Sequence, residues 1–223
     1  MAKAGQEIYN PRQKDRIVFE KTARETGGEL LRLEVFAPPG AAPPPDHVHP
    51  HQEEHFETLS GTLRTRVGGQ ERTLRAGERM VVPAGVGHTW WIEGEQEGHV
   101  LVEFRPALNT ETFFETMYGL VRDGKTGDDG VPPLLQMAIL CPTYDNYLPS
   151  PPIALQKALF WVLAPVGRLK GYKASYPEYS GENPLVEVDG LDSGGRRAGK
   201  IVAAACAGLL AVALLRRRWS SRQ

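Results

Sequence analysis

The sequence predicts a mainly β protein in which one antiparallel barrel or sandwich is followed by an α-helical extension and a C-terminal apolar helix. From residue 28 to residue 106, short strand-like runs alternate with Gly and Pro at nearly even spacing, which is typical of antiparallel sheets. After Pro106, apolar residues recur at helical spacing. The 223 residues, 41% of them hydrophobic, suffice for one barrel-sized domain with appendages and argue against wholesale disorder.

The barrel region begins after a polar N-terminal stretch. We expect residues 1–27 to form a loose arm. Residues 29–36 alternate apolar and polar side chains and predict the first strand, which ends at a Pro-Pro-Gly turn. Further strand-like runs, each followed by Gly, Pro or a residue before Pro, lie at 55–60, 62–67, 71–76, 79–82, 88–93 and 99–104. The predicted barrel spans residues 28–106.

Three apolar segments predict a helical extension over residues 107–172. Thr112 and Glu115 have the spacing of a capping box at the start of the first helix. A second helix is predicted over residues 134–141 or slightly longer, and a third over residues 153–163, bounded by prolines including Pro165. We expect the extension to pack on the barrel or on a second subunit. Residues 173–197 have turn composition and are predicted to be a linker.

The last 26 residues form a basic, apolar tail. Residues 201–215 are uncharged and apolar, and as a helix they would span about 22 Å, short of the roughly 30 Å hydrocarbon core. Snorkelling by Lys200 and Arg216 brings this length close to the minimum. We therefore predict one membrane span within residues 198–223, with the barrel on the cytoplasmic side. A buried or oligomer-forming helix is the alternative, and basic residues at both ends leave the orientation open.

Charge and cysteine usage exclude several functional classes. The net charge of −1 hides an asymmetry, because residues 196–223 carry seven basic and no acidic side chains, which leaves −8 on residues 1–195. An acidic body argues against nucleic-acid binding, whereas the basic tail suits anionic lipid. Cys141 and Cys206 have no partner motif, and the N-terminus shows no secretory signal. A cytoplasmic location is expected.

Histidines cluster in the predicted barrel. Five of the six lie within 42 positions, and four of these fall in the run HVHPHQEEH. Side chains two apart on a strand share a face, so His47 and His49 could bind one ion, with a carboxylate from Glu54 and a third imidazole from His88. A slip of one residue in register would present Glu53 or Glu57 instead. The alternative is an exposed His-rich strand without metal.

The spacing of these residues resembles the two sequence motifs of the cupin superfamily. The matching residues are His47-x-His49-x4-Glu54-x6-Gly61 and Gly77-x5-Pro83-x-Gly85-x2-His88. The resemblance implies a small jelly-roll β-barrel that binds one divalent metal ion through His47, His49, Glu54 and His88. Ala41 and Ile92 stand where the family usually has Gly and often Asn, respectively, and neither position is a metal ligand.

A set of three histidines and one carboxylate leaves coordination positions open for substrate. Iron, manganese, nickel, cobalt and zinc are all compatible with it. We expect an apolar cavity suited to a planar or aromatic ligand, although ordinary core packing explains each apolar side chain equally well. The candidate lining residues are His51, at the cavity mouth, with Phe56, Met80, Trp90 and Phe104.

Two functions fit this site. The first is a metal-dependent protein that binds a small organic molecule and oxidises or isomerises it, as a dioxygenase or an isomerase does. The second is a non-catalytic cupin that binds or senses a metabolite at a membrane. A homodimer is compatible with both. No GxGxxG motif, P-loop or Ser/His/Asp arrangement suggests a second catalytic site.

Overall fold

The computed structural model describes residues 2–181, in which nine strands form two antiparallel sheets. The larger sheet has the order β1-β2-β3-β9-β4-β7, and the smaller has the order β6-β5-β8. The strands are β1 Glu7–Asn10, β2 Asp15–Lys21, β3 Leu31–Ala37, β4 Glu53–Ser60, β5 Thr62–Val67, β6 Gln70–Arg75, β7 Arg79–Val82, β8 His88–Glu93 and β9 Gly98–Arg105. This mainly antiparallel architecture agrees with the predicted jelly-roll barrel.

The expectation of a loose N-terminal arm was wrong. Residues 7–21 form the β1–β2 hairpin, which extends the larger sheet beside β3. Ile17 and Phe19 point into the core, opposite Val35 and Leu33 in the β2–β3 register. Burial of these two side chains explains why a segment with few apolar residues is still an integral part of the sheet.

Alternation of inward and outward side chains defines the barrel core. On β3, Leu31 and Leu33 are fully buried, and on β9 Val102 and Phe104 face the same interior. The neighbouring positions on both strands are less buried and carry the polar residues. Each strand therefore follows the period of two that its sequence predicts.

Up to residue 181, four helices follow the barrel, namely α1 Thr110–Arg122, α2 Leu134–Tyr144, α3 Ile153–Leu169 and α4 Pro177–Ser180. Helix α1 begins before the expected capping box, with Asn109 at its N-cap. Helix α3 continues through Pro165, so the boundary predicted there was wrong: a proline removes one backbone hydrogen bond, and packing against α2 compensates for that loss. Helix α4 lies in the expected linker, where Tyr179 packs directly over Gly119.

Helix α3 also leaves a row of apolar side chains in solvent. Leu155, Leu159, Val162 and Val166 are between 44% and 59% exposed. Within residues 2–181, no helix combines the length and the hydropathy needed to cross a bilayer. The membrane span predicted within residues 198–223, and most of the expected linker, lie outside the described residues.

Candidate metal centre and adjoining cavity

The segment that carries His47 and His49 is held from both sides. The backbone N–H of His47 donates to the carbonyl of His88 at 3.0 Å, and the N–H of His88 donates back at 2.9 Å. On the other side, Val48 and Tyr147 exchange hydrogen bonds of 2.7 and 3.0 Å. The first two histidines are thus fixed between β8 and the connection from α2 to α3.

Four side chains converge at this point. His47, His49, Glu54 and His88 each offer one ligand atom, and these atoms all lie within 4.8 Å of one another. Glu54 Oε2 lies 2.7 Å from Nε2 of His88, 3.7 Å from that of His49 and 4.0 Å from that of His47. Metal–ligand bonds of about 2.1 Å place neighbouring ligand atoms about 3 Å apart. The distances between the four candidate ligand atoms are close to this spacing.

Backbone carbonyls orient two of the imidazole rings. His47 Nδ1 lies 2.9 Å from the carbonyl oxygen of Pro45, and His88 Nδ1 lies 3.0 Å from that of Val86. A ring that donates through Nδ1 keeps the lone pair of Nε2 free for a cation. On His49, Nε2 is buried and has no hydrogen-bond partner among the described residues. A buried acceptor without a partner costs free energy, so this donor set fits a bound cation.

Burial and mutual interaction set the charges of the cluster. Burial lowers the pKa of His47, and burial together with His47 lowers the pKa of His49 to about 3, so both rings are neutral near pH 7. Burial would also lower the pKa of His88, but the adjacent Glu54 carboxylate raises it. Burial would raise the pKa of Glu54, yet the three imidazoles, chiefly His88, hold it below its usual range. The cluster therefore contains one carboxylate and at least two neutral imidazoles.

The register of β4 places Glu54 in the barrel and its neighbours outside. Glu53 lies 3.1 Å from His55, and Glu57 accepts a 2.9 Å hydrogen bond from Arg79. Both alternative carboxylates therefore face away from the cluster. His51 is also turned away, since its Nδ1 lies 3.0 Å from Asp145 Oδ1.

A cavity of about 450 Å³ extends from the cluster to the helical extension. His47, His49 and Glu54 reach it, as do Trp90 and Phe104 among the predicted lining residues. Its surface is largely apolar, and it has the size of a typical small-molecule site.

Three predicted lining residues lie elsewhere in the described part of the chain. Phe56 and Met80 face each other across β4 and β7 and help to fill the barrel, whose interior is packed at this level. His51 is bound to Asp145 instead. Conversely, the cavity wall includes Asp15 and Tyr118, which no pattern in the sequence singled out.

Comparison with known proteins identifies a cupin domain in the barrel. Residues 33–104 match the family model described as "Cupin domain". An oxidoreductase of Arthrobotrys oligospora is 28% identical over 61% of this chain and 59% of its own length. "Probable oxidoreductase virH" of Hypocrea virens is 26% identical over 79% of this chain and 87% of its own. Oxalate oxidase 1 of Hordeum vulgare is 34% identical over 39% and 46%, respectively. The chain thus spans less than two thirds of the first and third relatives.

Proposed function

The chain belongs to the cupin superfamily, and we propose that it holds one divalent metal ion through His47, His49, Glu54 and His88 and oxidises a small organic molecule in the adjoining cavity. One observation carries this proposal: four ligand atoms lie within 4.8 Å of one another, and Nε2 of His49 is buried without a hydrogen-bond partner in the described part of the chain. The ion is iron, manganese, nickel, cobalt or zinc.

The residues around the cluster have separate roles in this proposal. A bound divalent ion with open positions supplies Lewis-acid and, for a redox-active metal, electron-transfer chemistry. Glu54 supplies the negative charge that partly compensates the cation. Trp90 and Phe104 provide flat apolar surface that binds the body of the organic molecule and excludes water.

Oxidation is favoured over isomerisation by the relatives. Two of them are named oxidoreductases, and one of these aligns with 79% of this chain, which is more than the barrel alone. The third is named an oxalate oxidase. The specific substrate is not carried over from any of them, because this cavity is mostly apolar.

Metal analysis of the purified full-length protein tests the proposal. We expect about one equivalent of divalent metal in the wild type and a large loss in His47→Ala and in His88→Ala. His55→Ala is the matched control, because His55 lies on the outer face of β4 and pairs with Glu53. Equal metal content in all four proteins would refute the site.

A non-catalytic cupin that binds or senses a metabolite is the alternative function. Among residues 2–181, the cluster consists of the four candidate metal ligands alone, so a measurement of activity has to separate the two functions. Oxygen uptake by the metal-loaded protein with a panel of phenols and diketones separates the two functions. Uptake that disappears in His88→Ala supports the oxidoreductase. Binding without any turnover supports the sensor.

We also propose that the tail attaches the protein to a membrane and that two copies associate. The first proposal rests on the apolar run 201–215 with its basic flanks. The second rests on the exposed apolar row of α3. Deletion of residues 198–223 should move the protein from the membrane fraction to the supernatant, and a wild type that is fully soluble without detergent would contradict the membrane proposal.

The substitution Leu159→Glu should convert a dimer to a monomer in light scattering. A wild type that is already monomeric would contradict the dimer proposal.

A further inference from the structure

A hydrogen-bonded polar pair lines the cavity at the end formed by the β1–β2 hairpin and α1, where Asn10, Arg12 and Gln13 also reach the wall. The hydroxyl of Tyr118 donates a hydrogen bond to Oδ2 of Asp15. Both side chains line the cavity and are more than nine-tenths buried. Neither belongs to the candidate ligand set, so the proposed metal site gives no reason for a carboxyl group at this depth.

The remaining hydrogen-bonding capacity of the pair is entirely that of an acceptor. The one hydroxyl hydrogen of Tyr118 is used on Asp15, while its oxygen keeps a free lone pair. Oδ1 of Asp15 is buried and has no hydrogen-bond partner among the described residues. An ionised carboxylate only accepts hydrogen bonds. The pair therefore lacks a donor, and a ligand in the cavity can supply one.

Aromatic rings connect this pair with the metal cluster. The ring centroid of His49 lies 5.9 Å from that of Phe104, which lies 5.7 Å from that of Phe114. Phe114 in turn lies 6.2 Å from Tyr118. A molecule lying along these rings would have one end at the cluster and the other at Asp15. The wall between the two ends suits an aromatic body.

The apolar character of the cavity favours a ligand that donates its hydrogen bond from a neutral group. Moving an ammonium ion into a largely apolar cavity carries a larger desolvation cost than moving a hydroxyl group. A hydroxyl can donate to the Asp15 carboxylate and still lie flat against the aromatic wall. The part of the chain that the structure describes offers Asp15 no ion-pair partner within 4.0 Å, so the carboxylate is not already satisfied by a cation.

We propose that Asp15 and Tyr118 recognise a hydroxyl group on the aromatic body of the cavity ligand, remote from its metal-bound end. Asp15 is then a specificity-determining residue that selects hydroxylated aromatic molecules over their hydroxyl-free analogues. The inference rests on the proposed function for what happens at the metal end, but the recognition itself requires no metal.

The experiment compares two ligands of nearly equal shape. Full-length protein is freed of metal with EDTA and titrated at pH 7 with 2-naphthol and with 2-methoxynaphthalene, which lacks the donor. We expect the wild type to bind 2-naphthol about tenfold more tightly. In Asp15→Asn, Tyr118 can donate to the amide oxygen and leave the NH₂ group toward the cavity, so the preference should vanish or reverse. Asp128→Asn, an exposed Asp outside the cavity, should behave as the wild type.

Binding of 2-methoxynaphthalene reports separately whether the cavity of each variant is intact. If Asp15→Asn does not fold, Asp15→Ala replaces it and should likewise abolish the preference, because it removes the carboxylate acceptor and leaves the Tyr118 hydroxyl free to donate. Equal affinities in the wild type, no binding of either compound, or an unchanged preference in the folded variant would overturn the inference. Zinc uptake by the same samples is measured independently, so failure of the metal site is distinguishable from failure of hydroxyl recognition.

Discussion

Asp145, at the end of helix α2, is hydrogen-bonded to His51 in the segment 47–51 that carries two of the candidate metal ligands. Its removal should weaken metal binding about tenfold. Its Oδ2 accepts the backbone N–H of His51 at 2.8 Å, and its Oδ1 lies 3.0 Å from His51 Nδ1. His51 follows His49 by two residues, so both contacts fix the end of the ligand-bearing segment. Hydrogen bonds to a charged group contribute about 1.5–3 kcal/mol each. Since the His51 side chain is half exposed, we take a loss of about 1.4 kcal/mol at the site, which corresponds to a factor of ten.

The assay is a competition titration with Zn²⁺ and a chromophoric chelator, applied to Asp145→Ala and Asp145→Asn. Asp145 has a left-handed backbone with φ of 52°, which Asn tolerates better than Ala does. The amide oxygen of Asn also keeps an acceptor for His51. We therefore expect Asp145→Asn to stay within about threefold of the wild type. A folded Asp145→Ala with unchanged zinc affinity would refute the idea that the helical extension holds the segment with His47 and His49 in place.

Three further changes test the packing and the charges. Phe19→Ala should lower the free energy of unfolding by about 3–5 kcal/mol in chemical denaturation, because Phe19 is fully buried, whereas the half-exposed Tyr9→Ala should have little effect; equal losses would contradict an integral β1–β2 hairpin. Gly167→Ala should lower the free energy of unfolding by about 1–3 kcal/mol, because the added Cβ would lie 2.7 Å from the Leu135 carbonyl oxygen. An unchanged unfolding midpoint would contradict this close contact between α2 and α3. Metal affinity should fall with decreasing pH by up to about tenfold per unit, because protons compete with the metal ion for the histidines. His88 should be protonated first, since Glu54 raises its pKa against the effect of burial, whereas burial lowers the pKa of His49 to about 3. A metal affinity that does not change from pH 8 to pH 5 would contradict this order.

The metal cluster could be predicted because its ligands lie at characteristic spacings in two short sequence motifs. Two histidines two positions apart share a strand face, and the offset to Glu54 and the turn residues before His88 determine where the remaining ligands lie. The structure brings these four side chains together and directs Glu53 away from them. Alternation alone left Glu53 and Glu57 open as alternatives, and the resemblance to the cupin motifs singled out Glu54.

The sequence could not predict how deep an inward-facing side chain lies in the barrel, or which distant segments hold the metal-binding residues in place. Alternation places Phe56 inside but does not say whether it lies in the packed core or at the cavity. The pairing of Val48 with Tyr147 joins segments about a hundred residues apart and leaves no periodic signal in either. The β1–β2 hairpin was missed because the short apolar run at residues 17–19 lies among charged residues. Asp15, which the further inference uses, was missed with it.

The central claim is that one metal ion is bound by His47, His49, Glu54 and His88. Anomalous diffraction from crystals of the full-length protein, recorded on both sides of the absorption edge of the metal found by elemental analysis, tests it most directly. The account predicts one strong anomalous peak at bonding distance from Nε2 of the three histidines and from a carboxylate oxygen of Glu54. A peak at the outer face of β4, beside His55 and Glu53, or no peak in protein crystallised with excess metal, would contradict it.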